Sequence, residues 1–233
     1  MSVAAIVAAA GQGLRLGPGG PKALQLLAGE PMLVHAVRAL SAARDIDLVV
    51  VAAPPDWLEE TRALLRDEHH GAELGVVAGG ATRSDSVRRA LSALPGVTTA
   101  VLVHDAARPL APVHLIEEVA AAVIGGAAAV VPGVPVVDTV KEVADGMVTA
   151  TLDRAHLFAV QTPQGFRRDV LERAHAQHDP AGPVVTDDAS MVERLGLAVL
   201  VVPGDEEAFK VTRPLDLLLA EAVLRRREAP DGR

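Results

Sequence analysis

The stretch Val3-Ala4-Ala5-Ile6-Val7-Ala8-Ala9-Ala10-Gly11-Gln12-Gly13-Leu14-Arg15-Leu16, followed after more glycine and proline by Pro21-Lys22, decides the reading of this chain. Val3 to Ala10 is an apolar run with the length of a buried strand, and it empties into a glycine turn. Glycines let backbone N–H groups approach phosphate oxygens, while one arginine and one lysine supply positive charge. The segment predicts a strand, an anion-wrapping loop and a nucleoside triphosphate as substrate. Neither familiar phosphate signature is present. Lys22 sits between Pro21 and Ala23 instead of ahead of Ser or Thr, and Leu16 stands where the dinucleotide fingerprint has its third glycine.

Working outward, strand-like runs at Val3–Ala9, Asp47–Ala53, Glu73–Ala78, Ala100–His104 and Ala127–Val131 alternate with helical patterns near Met32–Ala43, Trp57–Glu68, Arg83–Leu94 and Val113–Ile124. Val87, Ala90, Leu91 and Leu94 fall on one face of the third helix, the stripe of a helix lying on a sheet. Such repetition without a long linker predicts an α/β fold with a Rossmann-like, doubly wound, mostly parallel sheet. Ligands of these sheets bind beyond the carboxyl ends of the strands. The glycine loop, the Gly79-Gly80 turn and the His104-Asp105 corner all fall on that edge.

After Pro132, Val134–Val143 and Met147–Leu152 read as strands joined by Ala144-Asp145-Gly146, a hairpin turn. An isolated hairpin is marginal in water, so this ribbon should pack on its own domain or on a second subunit. Helices follow at Arg168–Gln177 and Asp187–Leu195, then a strand at Ala198–Val202. A last helix from Pro214 is expected to bury Leu215, Leu218, Leu219, Ala222 and Val223, with the charged tail from Arg225 fraying. No repeat and no domain boundary is visible, so residues 1–233 are read as one domain with an arm at about 133–153.

At 233 residues the chain can bury roughly 70–75% of its extended surface. A net charge of −8 argues against a nucleic-acid surface, and one Trp, three Phe and no Tyr leave no stacking platform. Without cysteine there is no disulfide, thiolate nucleophile or Cys-ligated zinc. Uncharged Val119–Val137 is broken by Gly125-Gly126, Pro132 and Pro135, and reads as helix end, turn and strand, with no membrane span. With no basic leader ahead of the glycine loop, a cytoplasmic enzyme is expected. His69-His70 is read as solvent-facing, and strand alternation sets His104 and Asp105 on opposite faces.

Further segments narrow the chemistry. Gly79-Gly80-Ala81-Thr82-Arg83-Ser84-Asp85-Ser86-Val87 opens a helix, whose backbone donors and Ser86 hydroxyl can read a base edge or hold an anion. The same residues read equally well as a cap, with Thr82 or Ser84 at the N-cap. His104-Asp105-Ala106-Ala107-Arg108-Pro109 sets an acid and an arginine at a strand's carboxyl end, where a metal–triphosphate enzyme needs an oxygen ligand for Mg²⁺. Beyond these stand Asp138-Thr139-Val140-Lys141, Leu152-Asp153-Arg154, Gln161-Thr162-Pro163-Gln164, Thr186-Asp187-Asp188-Ala189-Ser190 and Lys210-Val211-Thr212-Arg213-Pro214.

In this order the segments resemble the 2-C-methyl-D-erythritol 4-phosphate cytidylyltransferases of the non-mevalonate isoprenoid pathway, over essentially the whole chain. The resemblance implies a nucleotide-diphospho-sugar transferase type of fold with a projecting β-arm, a Mg²⁺-dependent homodimer, and CTP and methylerythritol phosphate as substrates. It assigns Arg15 and Lys22 as the catalytic pair. Ala9, Ala10, Gly80 and Ser86 line the cytosine pocket, with Gly11, Gly13, Arg83 and Asp105 completing the nucleotide set and Asp105 nearest the metal. Arg108, Thr139, Arg154 and Lys210 are assigned to the acceptor, Thr139 and Arg154 coming from the neighbouring subunit's arm. Ala23, Ala81 and Phe158 depart from the glutamine, acid and tryptophan found in members of the family.

Three other readings compete. A cytidylyltransferase for another polyol phosphate, such as ribitol 5-phosphate, would share the loop, the Asp105 corner and the arm. A dinucleotide-dependent oxidoreductase needs a ribose-binding acid after the second strand, and Asp56 beyond Pro54-Pro55 is a poor one. A non-catalytic nucleotide-binding regulator would not need Arg15 and Lys22 beside Asp105.

Overall fold

The computed structural model describes residues 2–11, 20–68, 71–179 and 185–228. Gly13, Arg15, His69 and His70 lie outside the described residues. The first half forms β1 (Ser2–Ala8), the short strands β2 (Leu26–Leu27) and β3 (Glu30–Pro31), α1 (Met32–Ser41), β4 (Leu48–Ala53), α2 (Leu58–Leu65), β5 (Glu73–Ala78), α3 (Arg83–Ser92), β6 (Thr98–Asp105) and α4 (Val113–Ile124). The second half adds β7 (Ala129–Pro135), β8 (Lys141–Ala144), β9 (Met147–Thr151), β10 (Phe158–Val160), β11 (Gln164–Arg167), α5 (Arg168–Ala176), α6 (Asp188–Arg194), β12 (Val199–Pro203) and α7 (Pro214–Glu228).

Strands β6, β1, β4 and β5 lie side by side in parallel. The chain winds outward from β1 through β4 to β5, then returns to the other side of β1 with β6. The winding therefore reverses between β1 and β6, and Ala8 is registered against Asp105 at that point. Beyond β6 the sheet is mixed. Strand β11 runs antiparallel between β6 and β7, β10 pairs antiparallel with β7, and β12 pairs with β7 in parallel.

Parallel strands covered on both faces carry apolar side chains in both directions, as the central residues of β1, β4 and β6 do. Val3, Ala5 and Val7 of β1 point into one core with Leu33, Val37 and Leu40 of α1 and Ile116, Val119 and Val123 of α4. Ala4 and Ile6 point the other way, onto Val87 and Leu91 of α3, Leu171 of α5 and Val192 of α6. The doubly wound, mostly parallel sheet expected from the alternation is the one observed.

Three expectations need correction, and one strand has no counterpart among them. Strand β11 gives no sequence signal of its own because Gln164-Gly165-Phe166-Arg167 is short and polar at both ends; burial of Phe166 holds it in the sheet. The run Val134–Val143 is not one strand: β7 stops at Pro135 and β8 starts at Lys141. The expected turn is present, with Asp145 at φ 50° and Gly146 at φ 78°, and the β8–β9 hairpin pairs with no other described strand. Bonds from Val136 N–H to Leu157 O and from Leu152 N–H to Val140 O carry the ribbon back toward the sheet.

Helix α7 is turned from its expected orientation. Leu215, Leu218 and Leu219 are 70%, 62% and 53% exposed, while Ala220 is buried and Leu217, Val223 and Leu224 pack on Leu27, Met32, Leu110 and Val211. Leucines occur on both sides of this helix, so a 3.6-residue period alone does not select the inward face. Nor does the tail fray at Arg225. The helix continues to Glu228, where Arg226 and Arg227 pair with Glu207 and Arg227 Nη2 donates to Leu110 O at 2.8 Å.

Gly165 lets β11 meet α4 closely: a Cβ there would lie 2.7 Å from both Val119 Cγ1 and Val123 Cγ2. Valines have little rotamer freedom to retreat. Gly165→Ala should therefore destabilise the fold by about 1–3 kcal/mol, seen as a Tm lowered by roughly 3–10 °C in a thermal melt.

Candidate active site

Beyond the carboxyl ends of β1, β5 and β6 opens a cavity of about 860 Å³. Ala9, Ala10 and Gly11 reach it directly from β1, and Lys22 enters from a single 3₁₀ turn, Lys22–Leu24, behind Pro21. Gly80, Arg83 and Ser86 line it from the β5–α3 junction, Asp105 from the end of β6, and Lys210 from the segment ahead of α7. Every nucleotide-binding residue read from the sequence that lies among the described residues therefore shares one cavity with Lys22.

Its electrostatic centre is Asp105. Arg83 Nε donates to Oδ1 at 3.0 Å and Lys210 Nζ to Oδ2 at 2.7 Å. Burial opposes the carboxylate's charge, but these two cations more than offset it and hold Asp105 well below the usual carboxylate range. Arg83 is shared: its Nη1 donates to Asp188 Oδ2 at 2.5 Å. Burial works against the guanidinium charge, and Asp188 and Asp105 together outweigh it, raising Arg83 above its ordinary value.

His104, one residue before, is fully inside and points away from the cavity. Nε2 lies 3.1 Å from Arg108 O, and Nδ1 lies 3.1 Å from Thr162 Oγ1, which accepts from Asp105 N–H at 3.1 Å. A carbonyl only accepts, so the proton belongs on Nε2 and Thr162 donates to Nδ1. The neutral ring thus braces the backbone at Asp105. Burial pushes its pKa down to about 4.

At the α3 entrance the two sequence readings coexist. Thr82 is the N-cap, its Oγ1 accepting from Asp85 N–H at 3.0 Å. The buried Ser86 hydroxyl donates to Thr82 O at 2.8 Å and accepts from Gly80 N–H at 3.0 Å, so it shapes the turn that faces the cavity. Gly80 has no room for a side chain, since a Cβ would fall 2.2 Å from Asp85 Cβ. Arg89 was not singled out in the sequence; it lines the cavity and donates to Gly79 O at 2.7 Å. Asp56 and Thr212 line it too. A helical arginine six residues past Arg83 gives no separate signal.

Arg108, Thr139 and Arg154 are not among the residues lining this cavity. Arg108 donates through Nη1 to Ala208 O at 2.6 Å and through Nη2 to Val160 O at 3.1 Å, and its buried Nε has no hydrogen-bond partner among the described residues. Thr139 and Arg154 are exposed at the base of the arm, where Arg154 Nη1 donates to Val137 O.

A glycine turn, two cations on one carboxylate and a crevice at the switch point define a nucleotide-binding protein of the doubly wound α/β class. A family model described as 2-C-methyl-D-erythritol 4-phosphate cytidylyltransferase matches residues 3–226. The chain belongs to that family. A relative of that name from Streptomyces coelicolor is 59% identical over 98% of this chain and 87% of its own, and one from Nocardia farcinica is 52% identical over 98% and 96%. Among solved structures, the enzyme of that name from Thermus thermophilus is 37% identical with a TM-score of 0.78, over 97% of this chain and all of its own. A 4-diphosphocytidyl-2C-methyl-D-erythritol synthase from Anaerococcus prevotii superposes with a TM-score of 0.84 at 28% identity, over 97% and 99%.

The His104 network has a pH signature. Its folded pKa of about 4 lies below the unfolded value near 6.5, so its contribution is complete above pH ~6.5 and is lost as pH falls toward 4. Urea unfolding from pH 7 to pH 4 should show an acid-side loss on the order of 3 kcal/mol that His104→Gln, which can keep both hydrogen bonds, largely removes. An unchanged slope in the variant would show that the ring is not held neutral.

Proposed function

We propose that this protein transfers the cytidylyl group of CTP to the phosphate of 2-C-methyl-D-erythritol 4-phosphate, giving the CDP-linked methylerythritol and pyrophosphate for isoprenoid precursor synthesis. The observation that carries the reading is the meeting of Lys22, Asp105 and Lys210 in one cavity with the β1 loop and the α3 turn. An acceptor phosphate oxygen attacks the α-phosphorus of CTP. The new O–P bond forms as the bond from the α-phosphorus to the bridging oxygen breaks, and pyrophosphate leaves with that electron pair. The acceptor is already anionic, so no side-chain base is required. The protein's task is positioning and charge stabilisation.

Lys22 and Arg15 are assigned to that charge, Lys22 as a point charge and Arg15 as a planar fork on phosphate oxygens. What supports Lys22 is its place on the cavity wall beside Gly11, with Lys22 N–H directed to Gly11 O at 3.4 Å. Arg15 rests on the family resemblance. Lys210 is assigned to the acceptor phosphate, and so is Arg108, which rests on the family resemblance alone because its guanidinium goes to the Ala208 and Val160 carbonyls outside the cavity lining. For Lys210 the support is geometric, since it stands at the same carboxylate as the nucleotide residues.

Magnesium is part of the proposal. Among the described residues no group of three or more His, Asp or Glu could hold a metal alone. Two carboxylates, Asp56 and Asp105, nevertheless line the cavity, and Mg²⁺ is commonly bound by one or two carboxylates plus substrate phosphates. Asp105 is the residue that would hold it, and the ion would neutralise triphosphate charge. A homodimer built through the arm is also proposed. In its favour, Val137, Val143, Met147 and Val148 of the arm are exposed, as are Phe158 and Val160 on β10. Thr139 and Arg154 would then serve the partner's cavity. A cytoplasmic setting completes the reading; among the described residues no helix is long and apolar enough to cross a membrane.

Pyrophosphate release should be fastest with CTP and methylerythritol phosphate in a panel that includes ribitol 5-phosphate; preference for ribitol 5-phosphate would reassign the acceptor. Lys22→Ala and Arg15→Ala should each cut kcat by roughly two to three decades with the fold intact by circular dichroism. Near-native turnover in both would end the assigned roles. Mixing inactive Lys22→Ala and Arg154→Ala chains should restore activity through one composite site, and no recovery after verified subunit exchange would exclude sharing.

A further inference from the structure

Asp188 is fully buried and does not line the cavity, yet it takes the strongest grip on a residue that does. Its Oδ2 accepts from Arg83 Nη1 at 2.5 Å, and its Oδ1 is 3.0 Å from His175 Nε2. A buried carboxylate costs far more than an apolar residue of the same size unless it is paired, so packing alone does not call for an acid here. The start of α6 is held rigidly around it. Asp187 caps the helix by accepting from Ser190 N–H at 3.0 Å. Gln164 of β11 donates to Asp187 Oδ2 at 2.7 Å and accepts from Ala189 N–H at 3.2 Å.

The consequence falls on Arg83. A guanidinium left to itself meets a carboxylate through two parallel N–H bonds. Here Arg83 divides its donors between two acids, Nε going to Asp105 and Nη1 to Asp188. Oδ2 of Asp105 accepts from Lys210 Nζ at 2.7 Å. We propose that Asp188, backed by His175, is a positioning pair for the transfer site, anchoring Arg83 through Nη1 so that its Nε stays on Asp105 Oδ1 while Lys210 holds Oδ2. Removing the acid takes away the Nη1 anchor and lets the Arg83 guanidinium swing off Asp105. The inference deepens the proposed function and rests on this cavity being where the nucleotide binds.

The test is a double-mutant cycle in the full-length protein. Asp188→Asn keeps the shape and removes the charge. It should lower kcat/KM for CTP roughly 10- to 100-fold and weaken calorimetric CTP binding. In an Arg83→Gln background, the same change should alter both by less than about 3-fold, because the residue it acts through is gone. A merely structural role would lower stability equally in both backgrounds and leave the two kinetic effects additive. If Asp188→Asn does not fold, His175→Gln and His175→Leu replace it: the first retains a donor to Asp188 and should stay within about 2-fold of native, while the second should lose about 3-fold or more. Additive effects in the cycle, native-like kcat/KM in folded Asp188→Asn, or equal activity in the two His175 variants would overturn the pair. Failure of the functional reading is separately visible, since native protein would then neither bind CTP nor release pyrophosphate.

Discussion

The whole site hangs on one ionised carboxylate at the end of a buried strand. Asp105 is nearly enclosed, and a lone carboxylate so placed would take up a proton before it would stay charged. Arg83 and Lys210 prevent that, and they approach from distant parts of the sequence, one at the start of α3 and the other ahead of α7. The backbone beneath it is secured by Thr162, which is itself oriented by His104. Charge and position at this point are therefore supplied by separate groups. The cations set the protonation state, and the neutral imidazole and hydroxyl set where the strand ends.

Around that point the fold divides its labour. The parallel strands with helices on both faces provide stiffness, and their carboxyl ends deliver Ala9, Gly80 and Asp105 to one crevice. The antiparallel additions do different work. Strand β11 brings Gln164 under α6 and so connects the sheet to the Asp187–Asp188 corner. The β8–β9 hairpin contributes little burial of its own and leaves Val143, Met147 and Val148 exposed.

Much of this was legible in the sequence, for identifiable reasons. The strands β1, β4, β5 and β6 lie between two layers of helices, so each is a nearly continuous apolar run that no surface element would show. Residues placed at their carboxyl ends were then legible as neighbours that line one cavity. Local signals failed where long-range packing decides. Strand β11 is too short to show a period, and the inward face of α7 was chosen by Leu27, Met32 and Leu110, far away in sequence. The Arg83–Asp188 bond joins positions 105 residues apart, and no spacing rule predicts it. Arg108 illustrates a residue type giving the right neighbourhood but an unexpected orientation, since its guanidinium goes to carbonyls of Val160 and Ala208.

The registration of β6 on β1 has one more implication. Side chains on a strand alternate, so a slip by a single residue would exchange His104 and Asp105 across the sheet. An imidazole would then face the crevice and a carboxylate would be buried against the Arg108 carbonyl, an acceptor that cannot pair with it. Such a misthreaded chain could satisfy neither face, so the pairing that makes this enzyme competent also acts as a proofreader of its own assembly.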